Sequence, residues 1–163
     1  MKRSAYGDKE KRSSPSPTIK DKAVIDNGST YCCLGKEWYI TRQHPESVNI
    51  NSPIYQSVGR RTVQLVDGET WTETVNGSYI LIKAFHCCPT EFTSILASNQ
   101  IRKEGNTVHN QPNAFGRQQH LHLASGTSLK LHYKGGVLVL KLQKPQEGDV
   151  LNYIPHKLTS EEG

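Results

Sequence analysis

The sequence lacks any long uninterrupted apolar run, and apolar residues are scarce throughout it. Only 34% of its 163 residues are hydrophobic and 7% are aromatic, against about 45–50% apolar residues in typical globular domains. No segment offers the ~20 apolar residues that a membrane-spanning helix needs, and the N-terminal region lacks the apolar core of a signal peptide. These absences predict an intracellular, cytoplasmic protein that has no membrane partner.

The apolar deficit is greatest in residues 1–22, where the positive charge is also concentrated. Seven Lys or Arg against three acidic residues give this segment a net charge of +4, out of +5 for the whole chain. Such a composition buries too little surface to offset the entropy lost on ordering, so residues 1–22 are predicted to be a disordered basic linker. Binding of nucleic acid is expected to be weak and confined to this tail.

The rest of the chain is interpreted as a mainly β domain over residues 23–145 and an extended C-terminal segment over residues 146–163. Short apolar or alternating stretches, separated by Gly, Asn and Pro, are typical of strands and turns. One short helix is predicted within residues 94–104, which contain no Gly or Pro. The pair Asp67-Gly68 lies between alternating residues and predicts a hairpin tip, because type I′ turns favour this dipeptide.

The four cysteines occur as two adjacent pairs, Cys32-Cys33 and Cys87-Cys88. Zinc sites commonly space their cysteines by two or more residues, whereas neighbouring residues of a strand point to opposite faces. The pattern therefore favours buried, reduced thiols and predicts no metal and no cofactor. A cysteine nucleophile activated by a histidine base is an alternative use of the same residues.

One aspartate, Asp26, ends the apolar stretch AVID and is followed by Asn27, Gly28 and Ser29. Burial next to such a strand raises the pKa of a carboxyl group. Gly28 permits a close backbone approach, and Ser29 can donate a hydrogen bond that orients the carboxylate. These are the requirements of an aspartic protease half-site, in which two aspartates share a proton and activate water. A surface Asx turn is the simpler interpretation of the same four residues.

The sequence contains only one aspartate in this setting. Asp67 is expected at a hairpin tip, and Asp149 follows a glycine in the C-terminal segment. A catalytic pair would therefore need two copies of the chain, with both Asp26 side chains at the two-fold axis of a homodimer.

In their order along the chain, these segments resemble the protease segment of copia-type retrotransposon polyproteins, which are retroviral-type aspartic proteases. Residues 94–105, SILASNQIRKEG, resemble the leucine-rich stretch of that family. Residues 112–142 resemble the β segment that follows it, and residues 158–160, LTS, resemble its usual end. The resemblance covers residues 22–160 and begins with the Asp-x-Gly-Ser motif at Asp26.

The resemblance implies a retropepsin-like closed β-barrel with a flap hairpin and one short helix. Asp26 would be the catalytic acid, Gly28 would approach the carboxylates with its backbone, and Ser29 would bind the outer carboxylate oxygen. Asn27 stands where the family commonly has Thr or Ser, whose hydroxyl bonds across the dimer axis. An amide offers both a donor and an acceptor, so two copies of Asn27 could bond reciprocally.

The flap implied by the resemblance comprises Val66, Asp67, Gly68 and Glu69, which would cover an extended peptide bound in the groove. The expected function is an aspartic endopeptidase that cleaves its own polyprotein as a homodimer, in the cytoplasm or within a virus-like particle. Two alternatives are a catalytically inactive, domesticated domain that serves as a protein-interaction module, and a small β-barrel module that binds nucleic acid through its basic tail.

Overall fold

The computed structural model describes residues 3, 5–9, 22–50, 61–91, 93–109 and 119–161, and within them the protein is mainly β. The strands are β1 Ala5–Tyr6, β2 Asp8–Lys9, β3 Lys22–Asp26, β4 Cys33–Leu34, β5 Tyr39–Ile50, β6 Arg61–Glu73, β7 Tyr79–Pro89, β8 Ser94–Ala97, β9 Thr107–His109, β10 His120–His122, β11 Ser128–Lys130, β12 His132–Lys134, β13 Val137–Gln143, β14 Tyr153–Ile154 and β15 His156–Lys157. The helices are α1 Ser98–Lys103 and α2 Glu147–Asn152. No helix in the described ranges has the length and apolar character needed to span a membrane.

Most strands belong to one large sheet with the order β12-β13-β3-β8-β4-β7-β6-β5. Strand β3 lies between β8, to which it is parallel, and β13, to which it is antiparallel. Strand β13 makes an additional antiparallel pairing with β6. Strands β9, β10 and β11 form a separate three-stranded sheet. The strand that ends at Asp26 is therefore an interior strand, held by backbone hydrogen bonds on both sides.

The main hydrophobic core collects side chains from β3, β4, β6, β7, β8, β13 and the three-stranded sheet, and Ile101 of α1 joins it. Strand β7 contributes to two clusters, because Ile80 and Ile82 face this core whereas Leu81 packs with Trp71. Strand β7 is therefore buried on both faces. The same core contains Leu96, so it holds β8 in place beside the catalytic candidate on β3.

The prediction of a mainly β chain is confirmed, but the prediction of a single helix is wrong. Helix α1 occupies only the second half of residues 94–104, because residues 94–97 pair with β3 as strand β8. Helix α2 lies in the C-terminal segment that was expected to be extended. It is stabilised by a capping box, in which the side chains of Gln146 and Asp149 each accept a hydrogen bond from the other residue's backbone N–H.

The predicted hairpin tip at Asp67-Gly68 is also wrong. Strand β6 runs without interruption through Val66, Asp67, Gly68 and Glu69, and all four residues are buried. A Cβ atom at Gly68 would lie 2.6 Å from Leu34 Cδ1. Gly68 therefore leaves room for a packed neighbour and makes no turn, so residues 66–69 do not form a flap.

Turns in this part of the sheet occur at other glycines. Gly77 has a φ of 88° at the β6–β7 connection, and Gly135 and Gly136 have φ values of 56° and 84° between β12 and β13. These turns agree with the Asn-Gly and Gly-Gly signals of the sequence. Strands β5 and β6 pair up to Ile50 and Arg61, and the connection between them lies outside the described residues.

Part of the segment expected to be disordered is ordered in the structure. Strand β1 pairs with β14, and β2 pairs with β7. Between them, the N–H of Gly7 donates to Ile154 O over 2.7 Å, and Gly7 O accepts from the N–H of Leu81 over 2.6 Å. Arg3 Nη2 lies 2.8 Å from Glu69 Oε2. Disorder was predicted because the segment has few apolar side chains to bury. The structure instead holds residues 5–9 by backbone hydrogen bonds and Arg3 by an ion pair.

Candidate active site

The four residues singled out by the sequence form a compact loop at the end of β3. The N–H of Gly28 donates to Asp26 Oδ1 over 2.8 Å, and Ser29 Oγ donates to Asp26 Oδ2 over 2.7 Å. The Asp26 side chain is partly exposed, and the loop opens to solvent at Gly28. Each carboxylate oxygen thus has its own donor, which fixes the direction of the carboxylate while leaving it accessible.

Gly28 contributes its backbone N–H and not an unusual conformation. Its φ does not lie in the left-handed region, and a Cβ atom at this position would make an ordinary contact of 3.5 Å with Asp26 Oδ1. The Asx-turn geometry anticipated from the sequence is present, and Ser29 adds a second bond to it.

Helix α1 supports the loop from the side. The last residues of β3 and β8, Asp26 and Ala97, are register partners in a parallel pair. At the residues that follow these two strand ends, Ser98 Oγ donates to Asn27 Oδ1 over 2.7 Å. Gln100 Nε2 also donates weakly to the backbone oxygen of the loop, at 3.4 Å from Thr30 O. Sequence reasoning identified Asn27 but missed its partner Ser98, whose only sequence signal is a serine at the start of a helix.

The other aspartates considered from the sequence have different partners. Asp67 is buried in β6, where Oδ1 accepts from His44 Nε2 over 2.7 Å and from the N–H of His86 over 3.0 Å. Asp149 accepts from Trp71 Nε1 over 3.0 Å at the start of α2. Neither is available as a second catalytic carboxylate beside Asp26, so the three aspartates form a catalytic pair only with another copy of the chain.

A cluster that the sequence did not reveal joins β5, β6 and β7. His44 and Asp67 are both buried, and the imidazole of His86 lies against that of His44 with ring centroids 4.3 Å apart. His86 has a left-handed φ of 55°, which non-glycine residues rarely adopt. A cavity of about 490 Å³ adjoins the three side chains. In sequence, His44 is 23 residues from Asp67 and His86 is 19 residues from it, so no local motif could have indicated this cluster.

A smaller cavity of about 240 Å³ lies next to the candidate loop. It is lined by Tyr31, which follows the loop, by Leu65 of β6 and Gln100 of α1, and by Glu46 and His86. The last two residues also line the larger cavity. The cavity beside the loop is therefore also lined by side chains of β5, β6 and β7.

The cysteine pairs are packed as small hydrophobic residues on opposite faces of their strands. Cys32 and Cys87 join the main core, whereas Cys33 and Cys88 belong to a second cluster. Burial raises the pKa of Cys33 to about 11 and that of Cys88 to about 12. Thiols with such pKa values are poor nucleophiles at neutral pH. Among the described residues, no three His, Cys, Asp or Glu side chains are arranged to hold a metal ion.

The loop thus combines an oriented, accessible carboxylate with a neighbouring amide that is held by α1. This arrangement can accept and return a proton, but one carboxylate cannot act simultaneously as general base and general acid. Comparison of the chain with protein-family models, with curated proteins and with solved structures finds no match in any of the three.

Proposed function

We propose that this chain is an aspartic endopeptidase with a retropepsin-like fold, which acts as a homodimer and cleaves the polyprotein that carries it. The observation that carries the proposal is the support of the Asp26 carboxylate. The N–H of Gly28 binds one oxygen and Ser29 Oγ binds the other. A carboxylate supported at both oxygens keeps its direction without being buried, so a second copy can approach it.

The pairing of the strands supports this proposal at the level of the fold. Strand β13 pairs with both β3 and β6, so the pairings β13-β3-β8-β4-β7-β6 lead back to β13. Such a circuit is what a closed barrel requires. The long antiparallel pair β5–β6 follows the Asp26 strand in chain order, which is where retropepsin-like proteases have their flap. Strand β8 continues directly into α1 beside the loop.

The chemistry follows from bringing two Asp26 carboxylates together. Two carboxylates in contact share one proton, because both cannot be ionised at that distance. The ionised member takes a proton from water, and the water oxygen attacks the peptide carbonyl carbon. The protonated member gives its proton to the substrate, and the leaving amine is protonated when the C–N bond breaks. The donors at Gly28 and Ser29 hold both carboxylates in position throughout.

The test compares peptide cleavage by the wild type and by Asp26→Asn, at mildly acidic pH and with a peptide library as substrate. Loss of general acid–base catalysis predicts a fall of about 10²–10⁴-fold in Asp26→Asn. Glu91→Gln changes an exposed carboxyl outside the loop and is the matched control. Ser29→Ala removes one of the two donors to Asp26 and should lower cleavage by less than Asp26→Asn. Equal cleavage by the wild type and Asp26→Asn would contradict the proposal and leave a non-catalytic interaction domain.

A further inference from the structure

The side chain next to Asp26 is held by a buried hydroxyl. Ser98 is fully buried at the start of α1, whereas Asn27 is exposed. Their 2.7 Å side-chain hydrogen bond lies one residue beyond the Asp26–Ala97 pair that ends β3 and β8. It therefore continues the connection between the two strands beyond their last backbone pair.

The bond also determines which way the Asn27 amide faces. Ser98 Oγ donates to Oδ1, so Nδ2 with its two N–H groups lies on the other side of the amide. Within the described part of the chain, Nδ2 has no acceptor. The oxygen keeps a second lone pair, because a carbonyl oxygen can accept two hydrogen bonds. Asn27 thus presents both a free donor and a free acceptor site on an exposed surface beside Asp26.

We propose that Ser98 is a positioning residue that orients Asn27 for reciprocal N–H···O hydrogen bonds with Asn27 of a second copy of the chain. This inference rests on the proposed function, since it requires the homodimer that pairs the two Asp26 residues. A two-fold contact places the same residue on both sides, and such a contact needs a self-complementary group.

The physical reason for a dedicated positioning residue lies in the geometry of an amide. A hydroxyl is a donor and an acceptor at one atom and rotates to suit its partner, whereas an amide carries its donor and its acceptor on two different atoms. An unsupported Asn27 would divide its time among several orientations, and only some of them present Nδ2 to the partner. The hydroxyl of Ser98 selects one orientation before the dimer forms.

The experiment measures the dimer dissociation constant of the full chain by sedimentation equilibrium. Ser98→Ala should weaken dimerisation about 10- to 30-fold, which corresponds to the net contribution of two hydrogen bonds. Ser98→Thr keeps the hydroxyl and should restore most of the affinity. Ser94→Ala is the matched control, because Ser94 is an equally buried serine on β8 that binds Gly35 and Trp38 instead of Asn27.

A second pair of variants separates positioning from general stability. In the Asn27→Thr background the side chain is a rotatable hydroxyl, so adding Ser98→Ala should leave the dissociation constant unchanged. At protein concentrations well above its dissociation constant, Ser98→Ala should regain the wild-type cleavage rate per dimer. A loss of affinity that is equal in both backgrounds would overturn the inference, as would a Ser98→Ala protein that dimerises like the wild type.

Peptide cleavage measured on the same samples distinguishes the two proposals. A wild type that dimerises without cleaving peptides overturns the proposed function, while the dissociation constants still decide the role of Ser98. A wild type that cleaves peptides, together with an unaffected Ser98→Ala dimer, overturns the role of Ser98 alone. A wild type that stays monomeric at every concentration and cleaves nothing overturns both.

Discussion

Removal of the Asp67 carboxylate should destabilise the region where β5, β6 and β7 meet. One oxygen, Oδ1, accepts from His44 Nε2 of β5 over 2.7 Å and from the backbone N–H of His86 of β7 over 3.0 Å. Asp67 is 2% exposed and His44 is 5% exposed. Because the His44 side chain is buried, solvent cannot readily replace the carboxylate as its acceptor when Asp67 is changed to alanine.

The expected magnitude follows from the groups left behind. Asp67→Ala leaves two donors without an acceptor, and each buried unsatisfied group costs about 1–3 kcal/mol. The sum for two such groups is about 2–6 kcal/mol. We therefore expect Asp67→Ala to lower the free energy of unfolding by about 2–6 kcal/mol, and toward the lower end of that range because the hydrogen bond from the His86 N–H is only partly buried. Asp67→Asn keeps an acceptor oxygen and should cost less.

The assay is urea unfolding followed by the fluorescence of Trp38 and Trp71, which are both buried. Glu46→Ala, an exposed acid at the same cavity, is the control and should change the free energy of unfolding by less than about 0.5 kcal/mol. In a double-mutant cycle, His44→Ala and Asp67→Ala should couple by about 0.5–3 kcal/mol. A coupling of zero, or an Asp67→Ala cost below about 1 kcal/mol, would refute the reasoning.

Three further predictions concern other buried groups. Burial raises the pKa of Glu69 above its ordinary 4.5. Because the folded-state pKa is raised, the free energy of unfolding should fall as the pH rises from about 4.5 through the folded-state pKa of Glu69. Glu69→Gln should make this fall with pH less steep in unfolding experiments. Parallel curves would exclude this carboxyl as the cause. Gly7→Ala would place a Cβ atom 2.3 Å from Leu81 Cβ, so amide exchange in residues 5–9 should accelerate while that of β3 does not, and unchanged protection would refute the steric argument. With pKa values of about 11 and about 12, Cys33 and Cys88 should react with thiol reagents at neutral pH far more slowly in the native than in the unfolded protein, and fast native labelling would contradict this.

The candidate loop was predictable from sequence because its contacts are local. Gly28 and Ser29 reach Asp26 across two and three residues, so the motif contains both donors and the acceptor. The glycine turns between β6 and β7 and between β12 and β13 are local in the same sense, since positive φ at the turn depends on the residue type. No distant part of the chain is needed to form these features.

The Asp67-Gly68 pair is also a local turn signal, yet it lies within strand β6 and forms no turn. Its environment is decided by residues far away in sequence, since His44 and His86 bind Asp67 and Leu34 packs against Gly68. The turn propensity of Asp-Gly is worth little against the burial of both residues in a long strand. The position of Ser98 beside Asn27 likewise depends on the parallel register of β3 and β8.

The sequence by itself therefore determined the mainly β character of the chain, the support of Asp26 by Gly28 and Ser29, and the turns at its glycines. Backbone propensity and hydrogen bonds between near neighbours suffice for these features. Only the tertiary structure decided that Asp67 is a buried link between strands, that β2 joins the large sheet through β7, and that Ser98 holds Asn27. Each of these depends on contacts between residues distant in sequence, and such contacts exist only once strand order and register are set.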